Sequence, residues 1–296
     1  MRVFVTGASG FIGSATVREL LSKGHTVLGL SRSTSSAKIL TDLGAEIHDG
    51  SLDDLSSLKS GAAQCDGVIH LGFVNDFSDF PRSCAKDRAA IDALGSAIEG
   101  TGKPLVVTSG ILLLAAGEMR TEDDKPDSEG FAAVRGKSEE VTLALVEKGV
   151  RAMVVRLPPT VHGEGDKGFV PMIIGATREK GVSSYIGEGL NRWTAVHRLD
   201  AARLYRLALE KGVAGGVYHA VADESVPTKE ISEAIGSRLN VPIASKSLEE
   251  AAGELGFVVY AYSRDSPASS AKTRDQLGWK PEQPGLIADV EKTYFK

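Results

Sequence analysis

The sequence predicts an α/β fold: a doubly wound parallel sheet with helices on both faces, and a small C-terminal α/β lobe suited to holding a substrate. Three observations predict it. A strand, a glycine-rich turn and a helix follow one another within the first 22 residues; short, almost wholly apolar strands then alternate with helical patterns as far as residue 157; and beyond that point the alternation becomes irregular. Strands that are apolar on both faces need cover on both, which is the condition of a parallel sheet between helical layers.

The first strand, Val3-Phe4-Val5, runs into Thr6-Gly7-Ala8-Ser9-Gly10-Phe11-Ile12-Gly13 and on into an apolar stripe, Ile12, Val17, Leu20 and Leu21, closed by Gly24. Glycines at this spacing let the chain turn tightly, approach a pyrophosphate closely and pack the new helix on the strand. The strand before and the helix after supply the context such a motif needs, with phosphates at the helix N-terminus. The turn therefore reads as a dinucleotide site.

The remaining elements follow in order. Thr26 to Leu30 is a second strand and Ser36 to Leu43 a helix stopped by Gly44. Residues 45–48 form a third strand, Asp53 caps a helix through Leu58, and residues 67–71 form a fourth strand. Residues 81–100 are helical, 104–108 a fifth strand, 131–148 a long helix and 152–156 a sixth strand. These predict a first unit over residues 1–157 and a second segment, 158–296, that completes the sheet and forms the lobe. In the second segment a helix is expected near 170–180 and a strand at 183–186. Asp200 caps a helix to Lys211, residues 217–221 are a strand, and helices follow at 228–239 and 247–255, the last with a Ser247/Glu250 capping box. Ser269 to Leu277, before Gly278-Trp279, reads as a final helix.

Composition narrows the partners. A net charge of −5, with Lys and Arg scattered, argues against nucleic acid or an anionic membrane surface and for a small organic molecule. No apolar run approaches the roughly 20 residues of a membrane span, and the first strand begins directly after Met1, so a cytoplasmic protein is expected. Cys65 and Cys84 lack metal-ligand spacing and read as reduced structural thiols; no metal site is expected.

Taken together, TGASGFIG at the N-terminus, HLGF at 70–73, VVTSG at 106–110, RLPPTVHGEG at 156–165, RWTAVHRLDAARL at 192–204 and LGWKP at 277–281 resemble the extended or atypical short-chain dehydrogenases/reductases. The resemblance spans nearly the whole chain and implies a Rossmann core. It also implies a cofactor site built from Gly7, Ser9, Gly10, Phe11, Ile12, Gly13, Ser31, Arg32, Ser33, Ser51, Leu52, Leu71, Gly72, Phe73, Arg135 and Pro158. Where NAD-binding relatives carry an acidic residue at the end of the second strand, this chain has Ser31 and then Arg32. A guanidinium suits a 2′-phosphate, so NADP(H) is favoured over NAD(H); an arginine merely solvated at a strand end is the alternative. Ser51 stands where an Asp is usual, and His70 reads as a buried strand-end histidine rather than a catalyst.

The family's chemistry needs a Tyr hydroxyl, a Lys four residues on and a Ser or Thr on the same carbonyl oxygen. The expected helix has no tyrosine. One register puts Phe131, Arg135 and Glu139 on the Y-x-x-x-K-x-x-x-E pattern; a rival that keeps Lys137 puts Ala133 at the tyrosine position. The working hydroxyl after the fifth strand falls on Gly110, leaving Ser109 either to touch substrate or to end the strand. The other candidate catalytic residues are Arg135, His162 and Tyr185, with Tyr260 and Tyr262 behind them. Asn75, Asp76 and Asp79 read as a loop bordering the reactive end, by default solvated. Trp193, His197 and Arg198 fall next to the cleft by resemblance, Trp193 reading as core and His197 as a strand-end hydrogen-bonder. Phe73, Phe77, Phe80, Phe169 and Trp193 make the surroundings aromatic, which favours a fairly apolar substrate. Two functions stay open: a reductase with a displaced proton donor, and a non-redox protein that keeps the dinucleotide site. Helices 81–100 and 131–148, through Ile91, Leu94, Val134 and Val141, suggest a homodimer.

Overall fold

The computed structural model describes every residue except Asn75, Phe77 and Lys296. Its first half is an unbroken alternation: β1 (Arg2–Thr6), α1 (Phe11–Ser22), β2 (Thr26–Ser31), α2 (Thr34–Leu43), β3 (Glu46–Asp49), α3 (Leu55–Ala63), β4 (Gly67–His70), α4 (Phe80–Ser96), β5 (Pro104–Gly110), α5 (Gly130–Ala144) and β6 (Arg151–Leu157). The second half holds β7 (Thr160–His162), α6 (Phe169–Lys180), β8 (Ser183–Ile186), β9 (Arg192–His197), α7 (Arg198–Lys211), β10 (Val217–His219), β11 (Asp223–Pro227), α8 (Thr228–Leu239), β12 (Ile243–Lys246), α9 (Leu248–Leu255), α10 (Val258–Tyr262), α11 (Ala271–Leu277) and α12 (Leu286–Thr293).

The main sheet has seven strands in the order β10-β6-β5-β4-β1-β2-β3, with every neighbouring pair parallel. The strand order reverses between β1 and β4, and open α/β sheets bind ligands in the crevice at such a reversal. Apolar side chains fill both faces. Val3, Val5, Leu20, Val106, Met153 and Tyr205 belong to one core, while Phe4, Leu58, Val68, Ile91, Leu105 and Leu145 belong to the other. A third core, around Trp193, Ile173, Ile231, Tyr262 and Val290, belongs to the second half of the chain.

Several expectations move. The cap of α3 is Asp54, whose carboxylate accepts from Ser57 N–H, so Asp53 lies one residue too early. Asp200 sits inside the first turn of α7, capped instead by His197 Nδ1; its buried carboxylate accepts from Glu282 and Gln283 N–H and so pins the later chain. Residues 97–100 and 145–148 fall outside α4 and α5. β11, β12 and α12 were not predicted: β11 ends in proline, and α12 starts just after the Pro281 and Pro284 breakers. The Ser247/Glu250 capping box forms in both directions. Ile91 and Leu94 face the chain's own core and are fully buried, so neither is free to meet a second copy. Both cysteines are free and buried, and burial pushes the Cys65 thiol up to about 11.

At the C-terminal end of β6, Arg156 forms a bidentate pair with Glu139, Nε to Oε1 at 2.9 Å and Nη2 to Oε2 at 2.8 Å, both residues almost without solvent contact. Its Nη1 lies 3.2 Å from His219 Nε2, and burial together with that guanidinium drives the His219 pKa down to about 4. His219 is thus neutral when folded, and as pH falls from about 6.5 toward 4 only the unfolded chain takes up its proton. Stability contributed at neutral pH is lost across that window. Replacing His219 by Gln should remove about 3 kcal/mol of acid sensitivity between pH 6.5 and 4; chemical denaturation of both proteins at the two pH values measures it, and equal pH slopes would refute it.

Candidate functional site

The glycine-rich turn closes over the sheet's carboxyl edge through local necessity. Gly7 has φ +65°, and a Cβ there would sit 2.8 Å from Gly72 N and Leu71 C, while a Cβ on Gly13 would meet Gly7 O at 2.0 Å. The β4 loop and the turn therefore touch backbone to backbone. Thr6 Oγ1 locks the contact by accepting from Gly72 N–H at 3.1 Å and lying 2.7 Å from His70 Nδ1. α1 begins at Phe11 with no side-chain cap on Gly10 and no acidic residue in its first turn. Its leading N–H groups are free to meet an anion.

Above the turn lies a cleft of about 470 Å³, lined by Gly7, Ser9, Gly10, Phe11, Ile12, Gly13, Arg32, Ser51, Leu52, Leu71, Gly72 and Phe73 among the residues expected from sequence. Leu30, Ser36, Gly50, Asp53, Val74, Thr108 and Leu157 line it as well and were not expected. Most of these follow from one rule that could have found them, since they sit at or just beyond the carboxyl ends of β2, β3, β4, β5 and β6. A hollow beside the cleft continues past Arg32 and is lined by Ser31, Ser33, Thr34 and Asp49. Ser31 Oγ is engaged with Ser36 Oγ at 2.7 Å and Ser33 O at 3.1 Å, so its side chain is committed within the turn. The Arg32 side chain is exposed and makes no hydrogen bond or ion pair among the described residues. The shape and donors fit a dinucleotide: a bare helix N-terminus where a Cβ would intrude, and a free cation at one end.

Arg135, expected in the cofactor site, is not among the residues lining the cleft but touches two that are, Thr108 and Phe73. Its Nη1 donates to Asp87 Oδ2 at 2.6 Å, its Nη2 donates to Thr108 O at 2.9 Å, and its guanidinium lies 4.8 Å from the Phe73 ring centroid. Asp87 is held below the usual carboxylate range against its burial by His70 and Arg135. On the same helix Glu139 is buried on Arg156, whereas Lys137 is exposed and lines a different groove, with Glu140 and Lys272. Phe131 lies against Phe80 and Arg135 against Phe73, whereas Glu139 lines the same groove as Ala133 and Lys137, so the helix does not by itself choose between the two registers. Phe131 is 45% exposed, its ring 6.4 Å from Phe80, which in turn lies 6.3 Å from Phe73. One of the two registers places the apolar ring of Phe131 at the tyrosine position of the pattern.

The other catalytic candidates lie elsewhere. His162 is fully buried, its Nδ1 2.7 Å from Asp289 Oδ2 and its ring edge-on to His197. Tyr185 belongs to the β8–β12 pair and stacks under Lys229. Ser109 Oγ is buried and without a partner among the described residues, Tyr262 is buried on Ser232 and Thr228 O, and Tyr260 is 81% exposed. Pro158 is buried beside the cleft residue Leu157. Asp76 accepts from Ser78 and Asp79 caps α4, so both serve the loop; Asn75 and Phe77 lie outside the described residues. Trp193 is core, its Nε1 donating to Ala261 O at 2.8 Å.

A parallel sheet with its glycine turn, switch-point cleft and free helix N-terminus defines a nucleotide-binding α/β protein of the Rossmann class. The particular family follows from comparison: residues 3–221 match the model of the NAD dependent epimerase/dehydratase family, and the chain belongs to it. An uncharacterized protein of Schizosaccharomyces pombe is 50% identical over 98% of both chains. A 4-hydroxy-2-methyl-3-oxo-4-farnesyl-3,4-dihydroquinoline-1-oxide ketoreductase of Stigmatella aurantiaca is 26% identical over 94% of this chain and 92% of its own. Among solved structures, MoeE5 in complex with UDP-glucuronic acid and NAD superposes with a TM-score of 0.78 at 22% identity, covering 99% of this chain and 98% of that one. None of the helices, among the described residues, is long and apolar enough to cross a membrane.

Proposed function

We propose that this chain is an NADP(H)-binding reductase of a carbonyl or related group on a fairly apolar small molecule, working without the usual tyrosine. The observation that carries the reading is the single cleft running from a free Arg32, over the uncapped start of α1, to Phe73, Thr108 and Leu157. Arg32 would hold the 2′-phosphate, the first turn of α1 the pyrophosphate, and Arg135 the ribose hydroxyls at the reactive end. The bound dinucleotide would supply the hydride. Phe73, Phe80 and Phe131 form an aromatic mouth that excludes water from the substrate side, in keeping with the farnesylated quinoline named for the Stigmatella relative. Residues 158–296 form the substrate lobe, the protein is cytoplasmic, and any homodimer uses the outer face of α4 and α5 where Val134 and Val141 stay partly open.

Arg32→Ala should erase a preference for NADPH over NADH, lowering NADPH affinity roughly tenfold or more and leaving NADH nearly unchanged, since an ion pair to phosphate contributes about 1.5–3 kcal/mol. Isothermal titration with both nucleotides reads it. Equal affinity of the unaltered protein for the two would overturn the assignment; Asp49, in the same hollow, is the group that would then favour NADH.

The missing hydroxyl at Phe131 favours a second reading, a non-redox member that keeps the dinucleotide for isomerisation, elimination or sensing. Tight NADPH binding with no nucleotide oxidation across a panel of ketones, aldehydes and enones would select it.

A further inference from the structure

Arg198, the first residue of α7, occupies a place that neither the sheet nor α7 requires. Its Cζ lies 5.2 Å above the ring centroid of Phe11, the residue that opens α1 and lines the cleft. Across the guanidinium stands the loop after β7: a Cβ on Gly163 would fall 3.3 Å from Arg198 Cγ, and one on Gly165 would fall 3.9 Å from Nη1. The side chain therefore lies between the Phe11 ring and a glycine loop, half-buried, and among the described residues it has neither an ion pair nor a hydrogen bond. The two arginines nearest in sequence behave otherwise: Arg192 pairs with Asp265 and Arg203 with Asp200 and Glu282. A half-buried guanidinium held on an aromatic face, with its donors unspent, is an anion receptor awaiting an anion.

We propose that Arg198 is a binding residue for the pyrophosphate of the dinucleotide, closing over the first turn of α1 from the side of the second lobe. This rests on the reading that the cleft holds a dinucleotide. The phosphates would sit on the free N–H groups at the start of α1, beside Phe11, and those groups carry only about half a unit of positive charge against the two charges of a pyrophosphate. Arg198 contacts the ring of Phe11, the first residue of that helix. The ring contact already holds the guanidinium beside the helix start, so less side-chain freedom is lost when the phosphate arrives. An anionic group on the substrate is the other possible source of the same chemistry, and the probes below separate the two.

The experiment is titration calorimetry without substrate, using NADPH, ADP-ribose 2′-phosphate and 2′-AMP against the unaltered protein, Arg198→Ala and Arg198→Lys. NADPH and ADP-ribose 2′-phosphate should each bind roughly tenfold more weakly to Arg198→Ala, and Arg198→Lys should recover part of the loss, because it keeps the charge. 2′-AMP, which lacks the pyrophosphate, should bind all three proteins alike. The salt dependence of NADPH binding should flatten in Arg198→Ala. Unchanged NADPH affinity in Arg198→Ala, with a substrate anion then the remaining source, would overturn the proposal and leave the dinucleotide reading standing. A matching loss of 2′-AMP affinity would overturn it too, since it would show a general disturbance of the cleft. If the unaltered protein binds none of the three, the dinucleotide reading itself falls and this proposal falls with it.

Discussion

Arg156→Leu should destabilise the protein by about 3–5 kcal/mol, because it strands the Glu139 carboxylate in the interior with its two strongest donors gone. Removing one partner of a buried pair leaves an uncompensated charge, and the remaining group can escape only by taking up a proton or by opening the structure to water. Glu139→Leu should cost a comparable amount by leaving Arg156 unpaired beside a neutral His219. The double variant Arg156→Leu/Glu139→Leu should recover most of the loss, since two apolar side chains of similar size replace the pair without leaving a charge. Thermal unfolding should show each single variant lower by about 10 °C and the double variant close to the parent. Singles that melt with the parent would show that the pair is solvated when folded. The functional consequence travels along α5: the pair fixes this helix against β6, and Arg135, one turn earlier, is thereby held against Thr108 and Phe73 at the cleft. Single variants should therefore also weaken NADPH binding once temperature approaches their lowered transitions.

The sequence carried the local parts of this site and lost the distant ones. The turn from Gly7 to Gly13 was readable because its geometry depends on thirteen consecutive residues, and the structure shows the steric reason for two of its glycines. Spacing along one helix offered Arg135 and Lys137 as alternatives. The anchoring of Arg135 was not readable, because Asp87 lies 48 residues away on α4, and nothing in either stretch announces the other. The same holds for His162, a candidate donor for which a structural role was the favoured reading; its partner Asp289 is 127 residues further on, in a helix that two prolines and a glycine concealed. Capping rules chose Asp53 and Asp200 where Asp54 and His197 do the capping. Adjacent acidic residues offer equivalent chemistry, and the tertiary contact with residues 282 and 283 decided the second case. The pairing of Glu139 with Arg156 was equally invisible along the chain, because it joins a helix to the strand it covers across 17 residues.

The largest effect on turnover should come from Phe131→Tyr. Phe131 stands one helical turn before Arg135, on the face that carries Arg135 toward the cleft, and its ring continues the aromatic row Phe73, Phe80 and Phe131. It is 45% exposed, so a hydroxyl at the ring tip costs little packing and needs no buried partner. A cation one turn away favours the ionised phenol and lowers its pKa, which is the service a lysine performs in the usual arrangement. Positioned acid–base help contributes typically 10²–10⁴-fold, so turnover of simple ketones, expected to be very slow in the unaltered protein, should rise by about that factor. The rise should appear in kcat, with the Kd for NADPH within twofold, because on the proposed reading the new group would face the substrate oxygen rather than the nucleotide. Phe131→Leu should leave whatever native turnover exists almost unchanged. Under the proposed assignment Arg135 would both tune the phenol and hold the ribose end, so Arg135→Ala combined with Phe131→Tyr should lose the gain and also weaken NADPH binding. A steep fall in native turnover for Phe131→Leu, with folding and nucleotide affinity intact, would show that the ring itself positions the substrate for the chemical step.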